Sequence, residues 1–294
     1  TDSMRINIRK PWLWALSLLS GFLILLAVWP GSPAASLAAS AEAEEPVEVP
    51  IIMYHEVNKN NLTKLGVTPA TLEKDLKYLR DNGYETISMT QLIQYVKGGA
   101  PLPEKPILLT FDDGYYNNYV YAYPLAQKYG DKIVISVIGK SAQDFSEVKD
   151  ENLRYGHASW EQIAEMIQSG CVEIQNHTYN MHKITNGRAG CQKKRGESIA
   201  TYTQAITKDI GTCQELIEQN TGWSPNTFTY PYGRVSEESV EIIKSMGFQA
   251  TLTCKNGINR ITRDPECLFG LRRISRANGS TLEKILTDAA KVKY

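Results

Sequence analysis

Neither sign of charge prevails in this chain of 294 residues, where 32 Lys and Arg stand against 32 Asp and Glu. The balance excludes a uniformly basic nucleic-acid binder, and no nucleic-acid partner is expected. With 42% of its residues hydrophobic, the chain is neither disordered nor collagen-like. Cysteine is scarce and odd in number: Cys171, Cys191, Cys213, Cys254 and Cys267 include no pair at zinc-knuckle spacing and cannot all be joined in disulfides. Cys254 and Cys267 could pair across a loop, or each could serve as a small apolar filler. None sits in a Cys/His arrangement suited to nucleophilic catalysis. Histidine is scarcer still, with four in the whole chain, so each has to be read by its position. No internal repeat is visible.

The clearest compositional break is at the start. Arg5, Arg9 and Lys10 precede residues 11–30, an uncharged run dominated by Leu, Ala and Trp, and small residues fill 31–41. A basic flank, an apolar core and a small-residue stretch make an export signal. The small residues suit cleavage, while the run is close to the ~20 residues that cross a bilayer, so a cleaved signal peptide and a membrane-tethering signal anchor are both open. Under either reading the basic flank stays cytoplasmic and the body is extracytoplasmic, secreted or membrane-anchored. Residues 41–50, rich in Glu, read as a short acidic tether. The chain thus divides into a leader with its tether, residues 1–43, and a body, residues 44–294, long enough for one sizeable core.

Along the body, short apolar runs alternate with amphipathic segments. Residues 49–54, 107–111, 132–138, 172–175, 227–230, 249–253 and 269–274 read as strands. Between them Leu72/Leu76/Leu79, Ile163/Met166/Ile167, Ile206/Ile210/Cys213/Ile217 and Val240/Ile243/Met246 repeat at helical spacing. Ser159 with Gln162 makes a capping box, and Gly83, Gly170, Gly222 and Gly247 stand where helices should stop. The alternation predicts an α/β fold: a single (β/α) barrel of about seven parallel strands, closed or nearly so, of distorted TIM-barrel type.

Such folds place their chemistry at the C-terminal ends of the strands. One predicted strand ends in Thr110-Phe111-Asp112-Asp113-Gly114, where adjacent carboxylates project in different directions. One can hold a metal while the other faces a water; an acidic turn capping the next helix is the alternative. A second ends in His177-Thr178-Tyr179-Asn180-Met181-His182. A five-residue spacing on a helix would splay the two imidazoles by roughly 140°, so they converge only if the segment is a loop. Asp113, His177 and His182 would then give two imidazoles and one carboxylate, a set that leaves an open position on a zinc-like ion. A third strand runs into Pro231-Tyr232-Gly233, a turn that exposes backbone N–H groups beside an aromatic wall. His55 ends the first body strand.

Together these residues resemble the NodB-like polysaccharide deacetylases, carbohydrate esterase family 4, over most of the chain from about Val49 onward. The resemblance implies that Asp112 is the general base, that Asp113, His177 and His182 bind one divalent ion, expected to be zinc, and that Pro231 and Tyr232 line the substrate groove. It implies a hydrolase that removes N-acetyl groups from an N-acetylglucosamine-containing cell-wall or extracellular polysaccharide, such as an N-acetylglucosamine polymer or peptidoglycan. Two departures stand out. Where most members carry an Arg two residues before the Pro, this chain has Thr229, and the late strand reads Leu271-Arg272-Arg273 in place of Leu-x-His. The Met-Tyr-His opening and the five-residue His spacing resemble instead the poly-β-1,6-N-acetylglucosamine deacetylase branch, whose early His enters the active site. His55 is then the candidate general acid, and Arg272 or Arg273 could replace the missing Arg. A catalytically weakened glycan-binding module and an O-acetyl esterase are the alternative functions. His157, just before the capped helix, is expected on a rim loop away from the metal ligands. Tyr115, Tyr116, Tyr119, Tyr121 and Tyr123 offer a sugar-stacking face or helix packing. Lys183, Arg188, Lys193, Lys194 and Arg195 crowd the loop at 181–198, which would either attract an anionic polymer or be a solvated loop.

Overall fold

The computed structural model describes residues 45–60 and 62–292. The predicted export signal lies outside them. Among the described residues no helix is long and apolar enough to cross a membrane.

Seven strands run in parallel. In chain order they are β1 (Ile51–Tyr54), β2 (Pro106–Phe111), β3 (Ile133–Val137), β4 (Val172–Asn176), β5 (Thr227–Thr229), β6 (Ala250–Leu252) and β7 (Ile274–Ser275). Their spatial order is β6-β5-β4-β3-β2-β1-β7, with the short strand Glu85–Thr86 pairing on β2. The segment leading into β7 touches both ends of this path: Leu271 bridges to Leu252 of β6, and Ile274–Ser275 pairs with Ile52 and Met53 of β1. The sheet therefore curls into a distorted, nearly closed barrel, as predicted. Its register sets Tyr54 beside Phe111, Phe111 beside Ile135, Val137 beside Asn176 and Asn176 beside Phe228, so the C-terminal ends emerge at one rim.

Parallel strands buried on both faces need apolar residues at every position, which is why these segments read as continuous runs. Ile52, Leu109, Ile135 and Ile174 pack with Leu72, Ile163 and Leu286 of the covering helices. The alternate residues Ile51, Leu108, Val134, Ala250 and Leu252 form a second cluster with Leu92, Ile93 and Ile261. A third cluster joins Phe228 and Tyr230 to Ile206, Ile210 and Ile243. Truncating one such buried Leu or Ile to Ala costs about 2–5 kcal/mol.

The helices are α1 (Pro69–Asp81), α2 (Met89–Val96), α3 (Tyr123–Tyr129), α4 (Gly139–Val148), α5 (Trp160–Gln168), α6 (Ile199–Thr221), α7 (Glu237–Ser245) and α8 (Leu282–Ala290). The capping box at Ser159 and Gln162 forms as predicted, and α6 ends in a left-handed Gly222 at φ 71°. A second capping box, Ser88 with Gln91, starts α2, a helix that the spacing analysis does not single out. Two expectations are corrected. The last strand lies at Ile274–Ser275 and not over 269–274, because the chain changes neighbour between Leu271 and Ile274. Cys254 and Cys267 do not pair, and all five cysteines are free. Cys254 Sγ lies 3.7 Å from Met53 Sδ, whereas Cys267 Sγ lies 3.7 Å from the Thr262 carbonyl.

The basic loop is only partly basic in effect. Arg188 pairs with Glu197 at 2.5 Å and Lys193 with Glu238 at 3.3 Å, so two of its five charges are matched. The loop also packs closely under the Pro231 turn, where a Cβ on Gly190 would come within 2.9 Å of the Pro231 carbonyl oxygen.

Candidate active site

Three strand ends on the rim depart from ordinary backbone geometry at non-glycine residues: Asp113 at φ 73°, Thr178 at φ 72° and Tyr232 at φ 58°. Left-handed backbone at side chains other than Gly costs about 1–3 kcal/mol each and persists only where surrounding contacts enforce it.

At the end of β2, the Asp112 N–H donates to the Tyr54 carbonyl at 3.1 Å, and the chain then turns left-handed through Asp113. Gly114 completes the turn, where a Cβ would meet Val137 Cγ1 at 2.9 Å. The segment at 156–158 pins this turn. Its Ala158 N–H reaches the Gly114 carbonyl at 2.9 Å, and His157 Nδ1–H donates to the Asp113 carbonyl at 3.0 Å. Burial lowers the His157 pKa, which keeps the ring neutral and suits a single-donor role. His157 also stacks on Tyr115 with centroids 5.0 Å apart. It is thus a rim residue outside the ligand set, as expected, but it clamps the backbone of a predicted ligand, a role the sequence reading missed.

The end of β4 carries the two histidines. His177 Nδ1–H donates to the Thr229 carbonyl at 2.7 Å, which leaves Nε2 facing Asp113 Oδ1 at 3.5 Å. His182 Nε2 lies 3.3 Å from the same oxygen. The segment between them is a loop, and the rings converge with centroids 4.8 Å apart. Asp113, His177 and His182 each offer one ligand atom, all within 4.8 Å of one another. Asp113 Oδ1 is buried and has no hydrogen-bond partner, a costly state for a carboxylate unless a cation occupies the space it faces. Burial opposes its charge, but His177, with His182 and His55 behind it, outweighs burial and holds the carboxyl well below the usual carboxylate range. The residues fit a divalent ion: one carboxylate, two imidazoles, and on His177 a second nitrogen oriented by a backbone carbonyl.

Asp112 meets Arg273 in a bidentate pair, Nη1 to Oδ1 and Nη2 to Oδ2, both at 2.7 Å. Arg273 is 1% exposed and its Nε donates to the Thr253 carbonyl at 2.7 Å. Of the two arginines left open by the sequence, the structure therefore selects Arg273; Arg272 Nη1 donates instead to the Asn256 carbonyl at 2.9 Å. Burial raises the cost of the Asp112 charge, and the guanidinium more than offsets it, so Asp112 stays ionised. Thr229, which stands where the resemblance called for Arg, shares a hydroxyl contact of 2.7 Å with Ser136.

His55 Nε2 lies 3.9 Å from Asp112 Oδ2, and its Nδ1 is buried without a hydrogen-bond partner. The Pro231-Tyr232-Gly233 turn is closed by the Gly233 N–H, which donates to the Tyr230 carbonyl at 2.9 Å, and the ring of its left-handed Tyr232 sits 4.4 Å from His182. A cavity of about 620 Å³ is walled by His55, Asp112, Asp113, His177, His182 and Tyr232. Pro231 is buried within the turn and is not part of that wall, so of the expected groove pair only Tyr232 faces the cavity. Tyr115 also lines it, whereas Tyr116, Tyr119 and Tyr123 stack in series at 6.1 and 5.9 Å outside it, and Tyr121 lies under Lys59 Nζ at 5.6 Å.

The chain is 27% identical over 265 residues to the poly-beta-1,6-N-acetyl-D-glucosamine N-deacetylase of Escherichia coli K12, a match covering 82% of this chain and 38% of that protein. The chain thus spans about two fifths of that relative's length. YxkH of Bacillus subtilis, provisionally named a polysaccharide deacetylase, is 30% identical, with 82% of this chain and 76% of YxkH covered. Among solved structures, a de-N-acetylase from Aggregatibacter actinomycetemcomitans superposes with TM-score 0.71 at 24% identity, covering 82% of this chain and 99% of that one, and shares the fold. The sequence profile described as polysaccharide deacetylase matches residues 99–251, a span that contains the Asp112-Asp113 pair, both ligand histidines and the Pro231 turn, and the chain belongs to that family.

Proposed function

We propose that the body of this chain, residues 44–294, is a metal-dependent deacetylase that hydrolyses the N-acetyl groups of an exported N-acetylglucosamine polymer. The observation that carries the proposal is the division of labour between adjacent carboxylates. Asp113 has an orphaned oxygen facing two imidazoles, while Asp112 is kept ionised by a buried bidentate Arg273. A divalent ion held by Asp113, His177 and His182, which we take to be zinc, would supply Lewis acidity toward the acetamide carbonyl and make a water acidic enough to attack near neutral pH.

Asp112 accepts the proton of that attacking water, and Arg273 keeps the carboxylate aimed and charged before each turnover. The Tyr232 N–H, at the left-handed corner of its turn, donates to the acetyl oxygen as negative charge builds there. His55 gives a proton to the nitrogen as the C–N bond breaks, so that the products are a free amine and acetate. The Tyr232 ring stands beside the sugar. The name of the Escherichia coli relative supports β-1,6-linked poly-N-acetylglucosamine as the polymer, and the leader supports an extracytoplasmic place for the reaction. Arg273 supplies the arginine whose absence would favour a catalytically weakened glycan-binding module.

The test is to give zinc-loaded protein lacking residues 1–43 either N-acetylglucosamine oligomers or acetylated xylan, and to assay free amine and free acetate separately. Equal yields of amine and acetate from the oligomers, exceeding acetate from xylan, are expected. Acetate from xylan alone would make the chain an O-acetyl esterase, and binding without either product would make it a glycan-binding module.

A further inference from the structure

His182 reaches Asp113 only because four intervening residues fold back on themselves, and the contacts that make them do so come from outside the cavity. The Thr178 N–H donates to Asn176 Oδ1 at 2.9 Å, and the Met181 N–H donates to Thr178 Oγ1 at 3.2 Å, closing the turn locally. The Gly139 and Lys140 N–H groups anchor it by donating to the carbonyls of Thr178 and Tyr179 at 3.0 and 2.9 Å. On their N–H side the same two peptides, 178–179 and 179–180, are gripped by one side chain from α6. Asp209 accepts the Tyr179 N–H on Oδ1 at 2.8 Å and the Asn180 N–H on Oδ2 at 3.0 Å. Two successive backbone donors on the two oxygens of one carboxylate, opposite the contacts that hold the carbonyls of the same peptides, fix the position and tilt of both, and such charge-assisted bonds are stronger than neutral ones.

Asp209 interrupts the stripe by which α6 docks. Ile206, Ile210, Cys213 and Ile217 are fully buried, and α6 is further tied to β4 by Asn176 Nδ2, which donates to the Ile210 carbonyl at 3.1 Å. The helix has what it needs to dock without a carboxylate at 209, where Asp is also a weak helix former. The carboxylate serves the turn.

We propose that Asp209 is a positioning residue of the metal centre, acting through the Tyr179 and Asn180 peptides to hold His182 against Asp113. This inference rests on the metal reading given above. Loss of outer partners of metal ligands typically weakens metal binding about 10–100-fold, and the same range is expected here.

The experiment measures zinc dissociation constants by competition with a chromophoric chelator for the wild type, Asp209→Ala, Asp209→Asn, His182→Ala and the Asp209→Ala/His182→Ala double variant. Thermal midpoints of the metal-free forms are recorded alongside. Asp209→Ala should bind zinc about 10–100-fold more weakly with little change in the metal-free midpoint, and Asp209→Asn, which keeps one acceptor oxygen, should fall between. Added to His182→Ala, the Asp209→Ala change should weaken zinc no further, because the ligand it positions is already gone. Wild-type affinity in Asp209→Ala, or an equal loss in both backgrounds, would overturn the inference while leaving the metal site intact. If Asp209→Ala does not fold, Asp209→Asn decides alone, and wild-type affinity there overturns the inference. A wild type that binds no zinc would remove the metal reading itself and the inference with it.

Discussion

Arg273 and Asp112 show what a buried pair demands of its partners. Both are almost completely buried, so Arg273→Ala leaves the Asp112 carboxylate without its bidentate partner, and a loss of about 3–5 kcal/mol in urea unfolding is expected at neutral pH. The dependence on pH has a defined sign. Asp112 is held below its ordinary value in the folded wild type, so its contribution is full above the unfolded carboxylate pKa of ~3.9 and is lost as pH falls through the lower folded value. Without Arg273, burial raises the Asp112 pKa against only the weaker pull of His177 and His55, and the variant loses stability as pH rises. The gap between the two proteins should therefore widen between pH 4 and pH 7; a gap independent of pH would contradict the pairing. His55 carries a separate prediction. If it protonates the leaving amine, His55→Ala lowers kcat by roughly 10²-fold or more and keeps its metal. Near-normal kcat, or loss of metal together with activity, would remove His55 from that role. Residues of this kind were unevenly legible. Asp112, Asp113, His177 and His182 could be named from motif and order, whereas Arg273 stands 161 positions from its partner and only the fold brings the two together. Nothing local distinguishes it from Arg272.

At the scale of elements, the site is made by turns. The Pro231 turn needs a residue without a side chain at its third position, since Gly233 has φ 63° and a Cβ there would fall 2.6 Å from Cys254 Cβ. Gly233→Ala should cost about 2 kcal/mol or more, combining left-handed strain with overpacking, and should lower kcat/KM by shifting Tyr232. Unchanged stability and kcat/KM would show that the turn is not constrained as described. The same scale explains what periodicity could and could not reveal. α1, α5, α6 and α7 have apolar residues at clean helical spacing, and the capping box of α5 marks its start. α2 spans Met89–Val96, too short for a periodic signal, although its Ser88 and Gln91 form the same cap as α5. The last strand was misplaced because its segment serves two neighbours in turn, which an apolar run does not record. His157 looked peripheral because its contact is to a backbone carbonyl, and no side-chain pattern announces that.

At the scale of the whole molecule, the fold was legible because alternating strand and helix has few solutions, and the parallel sheet puts the C-terminal ends of its seven strands at one rim. Asp113 and the two histidines arrive there from two strands, with His177 oriented by a third through the Thr229 carbonyl. A bound ion thus ties β2, β4 and β5 together. Zinc at 100 times its dissociation constant should add about 2.7 kcal/mol to the stability of the body. Whether one divalent ion in this triad makes the chain a deacetylase is decided by titrating zinc into metal-stripped protein while following amine release from an N-acetylglucosamine oligomer. Activity should rise from near zero to a plateau with a break at one zinc per chain, and Asp113→Ala should show neither the break nor the activity. Full activity in the presence of EDTA, or a plateau reached equally by Asp113→Ala, would contradict that role of the ion.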